Sequence, residues 1–292
     1  MTFALDIKNL SKKYDNNFCL DNLNLSLPQG HIMGLVGQNG AGKTTTINLI
    51  LNEITRDSGN IYIYGNDILK YEVQVKNDIG IVFDECCLPD LFTIVEIEKF
   101  ISKIYSHWNH KLYSQYITLF KLPTNKAIKE FSKGMKVKLN LAVALSHNAK
   151  FLILDEPTSG LDPIVRDDVL DILMDFVQDN SHSILFSSHI TNDLSKIADY
   201  IAFIHNGKLV FCKTKDELIY NYGIIHCNTA LFNKLNSSDI IAYRKFACEW
   251  QALTSNRTLA QTKYPDSIVD AASIDDIILL YIKGEKNDRI NY

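Results

Sequence analysis

Between residues 1 and 30, apolar side chains fall on alternate positions, Phe3, Leu5, Ile7 and later Leu23, Leu25, Leu27, and Ile61–Tyr64 adds another short run. A period of two predicts half-buried antiparallel strands, here a small β-layer. Four other runs, Ile32–Val36, Phe151–Leu154, Ile184–Phe186 and Ile201–Ile204, are apolar without interruption. That is the pattern of parallel strands covered on both faces. Helical stretches lie between them, so the core is expected to be α/β. From about 88 to 147 the β signal gives way to helical spacing, as in Phe92, Val95, Ile97, Phe100, Ile101 and Ile104. Beyond Asp216 a mixed segment with Cys227, Phe232, Tyr243, Phe246 and Trp250 closes on an apolar helical patch, Ile274–Ile282. The expected organisation is a main domain over 1–220, with an antiparallel β-subdomain and a helical subdomain over 88–147, and a small accessory domain over 221–292. No internal repeat or low-complexity stretch is visible.

Composition narrows the picture. A chain of 292 residues, 46% of them hydrophobic, can fill one large core or two moderate ones. Thirty Lys and Arg against 34 Asp and Glu leave a net charge of -4, which gives no basic footprint for nucleic acid, and none is expected as a partner. The six cysteines, Cys19, Cys86, Cys87, Cys212, Cys227 and Cys248, contain no CxxC pair, so reduced cytosolic thiols are expected rather than disulfides or structural zinc. The first residues alternate instead of forming the unbroken apolar stretch of a signal peptide. The longest apolar runs fall far short of the roughly 18 residues that a spanning helix needs. Any work at a membrane would borrow a partner's span.

The candidate chemistry begins at Gly37-Gln38-Asn39-Gly40-Ala41-Gly42-Lys43-Thr44, which fits GxxxxGK[ST] and stands between the run Ile32–Val36 and the helical pattern of Ile47, Leu49, Ile50, Leu51 and Ile54. Glycines let the backbone curl so that successive N–H groups point at phosphates, and the following helix presents its positive end. Lys43 adds a point charge, and the Thr44 hydroxyl, followed by Thr45, is placed to ligate Mg²⁺. The expected ligand is a nucleoside triphosphate. In Phe151–Leu154 followed by Asp155 and Glu156, two carboxylates sit at the tip of a buried strand, where α/β folds bind ligands. Asp155 can hold Mg²⁺ through water. Glu156 can take a proton from the attacking water.

With these two motifs in order, the chain resembles the ATP-binding cassette (ABC) family over residues 1 to about 220. The resemblance implies a P-loop NTPase core of the ABC ATPase type, ATP and Mg²⁺ as cofactors, and ATP hydrolysis. Phe131-Ser132-Lys133-Gly134-Met135 stands where the family has its LSGGQ-like signature; it departs at three positions but keeps the Ser132 hydroxyl and the Gly134 N–H that would clamp the γ-phosphate held by an opposite subunit. Ser159-Gly160-Leu161-Asp162-Pro163 resembles the family's D-loop, which makes Ser159 and Asp162 expected dimer contacts. His189, after Ile184–Phe186, resembles the switch histidine, and Tyr14 the aromatic ring that stacks on adenine. The family's Q-loop glutamine is replaced by Asp84, in Ile79-Gly80-Ile81-Val82-Phe83-Asp84-Glu85, and this acid is expected to contact Mg²⁺ directly or through water. Cys86 and Cys87 follow it, where family members touch a membrane subunit's coupling helix; nothing nearby in sequence would depress a thiol pKa, so they are read as incidental.

The resemblance further implies a dimer of ATPase subunits, homo- or heteromeric, sandwiching two ATP, and a separate transmembrane permease that would hold the chain on the inner face of the cell membrane. A translation factor of this class would carry two cassettes, and a chromosome-maintenance ATPase a long coiled coil between Lys43 and Ser132, which are only 89 positions apart. The tail Ser273–Glu285 resembles ATPase subunits of ABC-2 exporters of the Ytr type and of phenol-soluble-modulin exporters. Export of a peptide, antibiotic or amphipathic compound is therefore the expected function, with an importer ATPase or a non-transport ABC ATPase as alternatives.

Overall fold

The alternating segment folds as β1 (Phe3–Lys13) against β2 (Cys19–Pro28), antiparallel, with Leu5 opposite Leu27, Ile7 opposite Leu25 and Leu10 opposite Leu23. All six are buried. The alternation does not run unbroken: Phe3 is exposed while Ala4 is buried, because the register shifts between Phe3 and Leu5 and again between Ile7 and Leu10. The computed structural model describes residues 2–14, 18–247 and 249–286; Cys248 lies outside them.

The continuous apolar runs form strands of a second sheet. In chain order the first part comprises β3 (Ile32–Val36), α1 (Lys43–Ile50), β4 (Ser58–Ile63), β5 (Asn66–Asp67), α2 (Glu72–Asn77), β6 (Ile79–Val82), α3 (Ile94–Ile101), α4 (His110–Leu119) and α5 (Lys133–Leu145). Then follow β7 (Phe151–Asp155), α6 (Pro163–Phe176), β8 (Ser183–Ser188), α7 (Thr191–Ile197), β9 (Tyr200–His205) and β10 (Lys208–Thr214). The β-layer has the order β2-β1-β4-β5, and the larger sheet the order β10-β9-β3-β8-β7-β6. Pairing is parallel from β9 through β3, β8 and β7 to β6. Every residue of β3, β7 and β8 is buried, which is why these strands read as solid apolar runs.

Register is what positions chemistry here. Val36 pairs with Ser188, Asp155 with Ser187, and Val82 with Leu154. Parallel strands in this alignment end together, so the residues after Val36, Val82, Leu154 and Ser188 emerge at one edge of the sheet. A two-residue turn, Asn206–Gly207 with both φ positive, joins β9 to β10. Its Gly207 N–H donates to the Ala41 carbonyl and its carbonyl accepts from Asp21 N–H, tying residue 41 to β2.

The helical stretch carries α3, α4 and α5. Thr93 and Glu96 cap α3 reciprocally, and Ile94, Ile97 and Ile101 face inward at helical spacing. The Tyr113 hydroxyl, buried, donates to the Ile94 carbonyl at 3.2 Å. Leu91, Val95, Phe100 and Ile104 from the same periodic stretch stay 44–74% exposed. Only part of that apolar pattern is therefore spent on the core.

The chain divides into two compact units, Met1–Cys212 and Lys213–Tyr292. The expected boundary after residue 220 falls inside α8 (Lys215–Asn221). The second unit continues with β11 (Gly223–Cys227), α9 (Thr229–Phe232), β12 (Ala242–Phe246), β13 (Glu249–Thr254), α10 (Arg257–Lys263), β14 (Ile268–Ala271), α11 (Ile274–Lys283) and β15 (Glu285–Lys286). Its strands make an antiparallel sheet in the order β14-β11-β13-β12-β15. Ile225, Ile240, Ala252 and Ala260 form its core, with Phe232 stacked on Trp250 at 4.1 Å between centroids. The apolar patch expected at Ile274–Ile282 is α11, capped by Ser273 and burying Ile274, Ile277 and Leu280.

Candidate active site

The segment between β3 and α1 turns in a way that needs glycine at two points. A Cβ on Gly37 would stand 2.6 Å from the Ile204 carbonyl oxygen, and Gly42 has φ +118°. Gly42 is also the N-cap of α1 and offers no side chain to the first turn, so the N–H groups there remain available to an anion. Lys43, only 6% exposed, donates to the Gly37 carbonyl at 2.7 Å and meets Glu156 Oε1 at 3.3 Å. A buried ammonium needs such acceptors, and both are at the phosphate-loop edge.

Asp155 ends β7 with its carboxylate buried. Thr44 Oγ1 donates to Asp155 Oδ2 at 3.0 Å, while Asp155 Oδ1 has no hydrogen-bond partner. Burial pushes the Asp155 carboxyl up, with the Glu156 charge adding to this and the nearby Ser187 hydroxyl, the Thr44 hydroxyl and Lys43 opposing it. An orphaned, buried carboxylate oxygen beside a threonine hydroxyl is a fitting place for a hard divalent cation, which takes oxygen ligands. Among the described residues no group of three His, Cys, Asp or Glu could hold an ion by itself. A Mg²⁺ here would take its remaining ligands from water and from the phosphates it accompanies.

Glu156 follows with φ +52°, a left-handed conformation that costs a non-glycine residue on the order of 1–3 kcal/mol. Its backbone N–H donates to the Ser187 carbonyl and its carbonyl accepts from Ser159 N–H, which over-determine the turn. The strained turn aims the carboxylate across the sheet edge: Oε2 lies 2.6 Å from His189 Nδ1 and accepts from His189 N–H at 3.3 Å. Lys43, Glu156 and His189 thus form one chain of contacts, the last two 33 positions apart in sequence.

These groups surround a cavity of about 650 Å³. Of the sequence-predicted residues, Tyr14, Asn39, Gly40, Gly42, Lys43, Thr44 and Thr45 line it, together with Asp84, Asp155, Glu156, Ser159 and His189. Gly37 and Ala41 form the loop without lining the cavity. Gln38 and Phe18 also line it; Phe18 belongs to no motif that the sequence offers. It lies across the β1–β2 connection from Tyr14, joined by a Tyr14 N–H to Phe18 carbonyl bond of 2.9 Å, with ring centroids 6.1 Å apart. An aromatic residue a few positions after Tyr14 is the signal that could have found it.

Ser132, Gly134 and Asp162 do not line the cavity. The Ser132 hydroxyl caps α5, accepting from Met135 N–H at 3.3 Å. Asp162 caps α6, accepting from Ile164 and Val165 N–H at 3.1 and 3.0 Å, with Pro163 at the first helical position. Burial pushes the thiols of both Cys86 and Cys87 up, away from the range of reactive thiolates.

A glycine-rich turn, paired acids and a histidine thus meet at one sheet edge, and the family follows from similarity to known proteins. The sequence profile of the family described as "ABC transporter" matches residues 20–159. The ABC transporter ATP-binding protein YtrB of Bacillus subtilis is 32% identical over 218 residues, covering 75% of this chain and 74% of that one. The chain belongs to the ABC transporter family. It is an ATP-binding subunit and an ATPase of that family. The bacitracin transport ATP-binding protein BcrA of Bacillus licheniformis is 33% identical over 224 residues, 72% of this ABC subunit and 69% of BcrA. A solved structure of an ATP-binding subunit of an ABC transporter superposes with a TM-score of 0.68 at 26% identity, covering 74% of this chain and 91% of that one. Among the described residues no helix is long and apolar enough to cross a membrane.

Proposed function

We propose that this ABC ATPase works as one of two cassettes that close head to tail over two ATP, and that it drives export of a peptide, antibiotic or amphipathic compound through a separate permease on the inner face of the cell membrane. One observation carries the sandwich: the cavity gathers the phosphate loop, the paired acids and His189 but neither Ser132 nor Gly134. A second cassette, identical or related, would supply that Ser and Gly, with Ser159 and Asp162 near the seam.

In this reading Tyr14 and Phe18 bracket the adenine, N–H groups of the phosphate loop hold the β- and γ-phosphates, and Lys43 turns from Glu156 to a phosphate oxygen. Thr44, Asp155 and Asp84 would hold Mg²⁺, which neutralises phosphate charge when bound. Glu156, freed of Lys43, accepts a proton as water attacks the γ-phosphorus; the bond to the β-phosphate oxygen breaks, leaving ADP and phosphate. His189, oriented by Glu156, holds the water and the γ-phosphate oxygens. Exposed Leu91, Val95, Phe100 and Ile104 suit docking on a permease, and the bacitracin transport function in BcrA's name supports the cargo class. The test is to purify the chain with the membrane protein that co-isolates with it and reconstitute both in vesicles. ATP-dependent movement of an amphipathic peptide away from the ATPase face is expected, and movement only toward that face would overturn the export reading.

A further inference from the structure

The two least expected residues of the site touch each other. Lys133 Nζ lies 2.8 Å from Asp84 Oδ1, each side chain about half exposed, so an acid at the cavity wall is paired with a lysine from the signature of the same chain. Lys133 is the first residue of α5, whose first turn holds no acid. A cation at a helix N-terminus is disfavoured by the aligned peptide dipoles. The loop after β6 supplies the missing counter-charges: Asp84 to Lys133, and Asp90 to Lys136 at 3.3 Å. On its other side the Lys133 ammonium stands 3.6 Å from where a Cβ on Gly160 would be. Lys133 therefore meets the cavity acid and the Ser159–Asp162 loop at once.

We propose that Lys133 is a positioning residue for nucleotide binding, holding the Asp84 carboxylate and neutralising a charge that would otherwise repel the triphosphate. The inference rests on the reading of this cavity as the ATP site. Asp84 lines the cavity with Lys43, Thr44 and Asp155, and an unpaired carboxylate there acts on a polyanionic ligand. Lys133 engages one oxygen of that carboxylate, Asp84 Oδ1. The repulsion without Lys133 is larger for metal-free ATP than for ATP neutralised by Mg²⁺, and it is screened by salt.

The test is a double-mutant cycle read by equilibrium binding of a fluorescent ATP analogue to the full chain, with Mg²⁺ and with EDTA, at low and high salt. Lys133→Met is expected to raise Kd about threefold to tenfold in EDTA at low salt, and less with Mg²⁺ or at about 0.5 M salt. Lys133→Arg should keep the parent Kd. In an Asp84→Asn background Lys133→Met should change nothing. Equal shifts in the parent and Asp84→Asn backgrounds, or no shift in either, would overturn the proposal. Failure of the parent chain to bind the analogue would instead sink the ATP-site reading.

Discussion

The phosphate-loop side of the first unit and its signature side differ in what their polar groups do. On the first, Lys43, Asp155, Glu156 and His189 are gathered around a cavity, with Glu156 in contact with both Lys43 and His189, and Asp155 keeps an unpartnered oxygen. On the second, Ser132 and Asp162 serve their own helices as N-caps. The first side gathers its polar groups around an open cavity, and the second is a capped helix end whose Ser132 and Gly134 stand apart from that cavity. On the proposed reading, half a site is preformed here and a second cassette would supply the other half.

The largest effect that sharpens this contrast is at Glu156. Glu156→Gln should lower steady-state turnover by about 10²–10⁴ while leaving ATP affinity within a few fold, as phosphate release and nucleotide binding assays would show. Retained turnover would remove Glu156 from the chemistry. A smaller effect separates the two aromatic walls. Stacking on a base is worth about 1–3 kcal/mol, so Tyr14→Ala should weaken ATP at least about fivefold while changing GTP in parallel, since every base has a π-face. If only Phe18→Ala does so, the ring that holds the base is Phe18.

The smallest predicted effect lies outside the site. His147 is buried, stacked on Tyr105 at 3.9 Å, with its ring nitrogens at 2.9 and 3.2 Å from the Ile79 and Val143 carbonyls. Burial pushes its pKa down from 6.5, outweighing the Ile79 and Val143 carbonyls, which favour the protonated ring. The unfolded chain then binds a proton that the folded one refuses, so stability is full above the unfolded value and declines as pH falls below about 6.5, by at most about 2 kcal/mol at pH 5. Thermal unfolding between pH 7 and 5 should flatten in His147→Gln, and an unchanged slope would show that other groups govern it.

The same contrast explains what could be read in advance. The phosphate loop and the Asp155–Glu156 pair were legible because their chemistry needs particular residue types at fixed spacing along a strand–turn–helix path. Ser132 and Asp162 were legible only through resemblance, since as N-caps they look like any other helix start. The Lys133–Asp84 pair joins positions 49 apart, and no local pattern marks such a contact. Phe3 was misplaced because a register shift between Phe3 and Leu5 puts it out of phase with the buried Leu5 and Ile7. The second unit's sheet stayed hidden because strands such as β12, Ala-Tyr-Arg-Lys-Phe, and β13, Glu-Trp-Gln-Ala-Leu-Thr, mix charged and aromatic residues without a clean period.

The central claim, that this chain holds half of each ATP site, is tested most directly by the mass of Glu156→Gln in sedimentation with saturating ATP and Mg²⁺. A dimer that reverts to monomer when Gly134→Asp is added is expected. A monomer in the first case, or an equally stable dimer in the second, would contradict it.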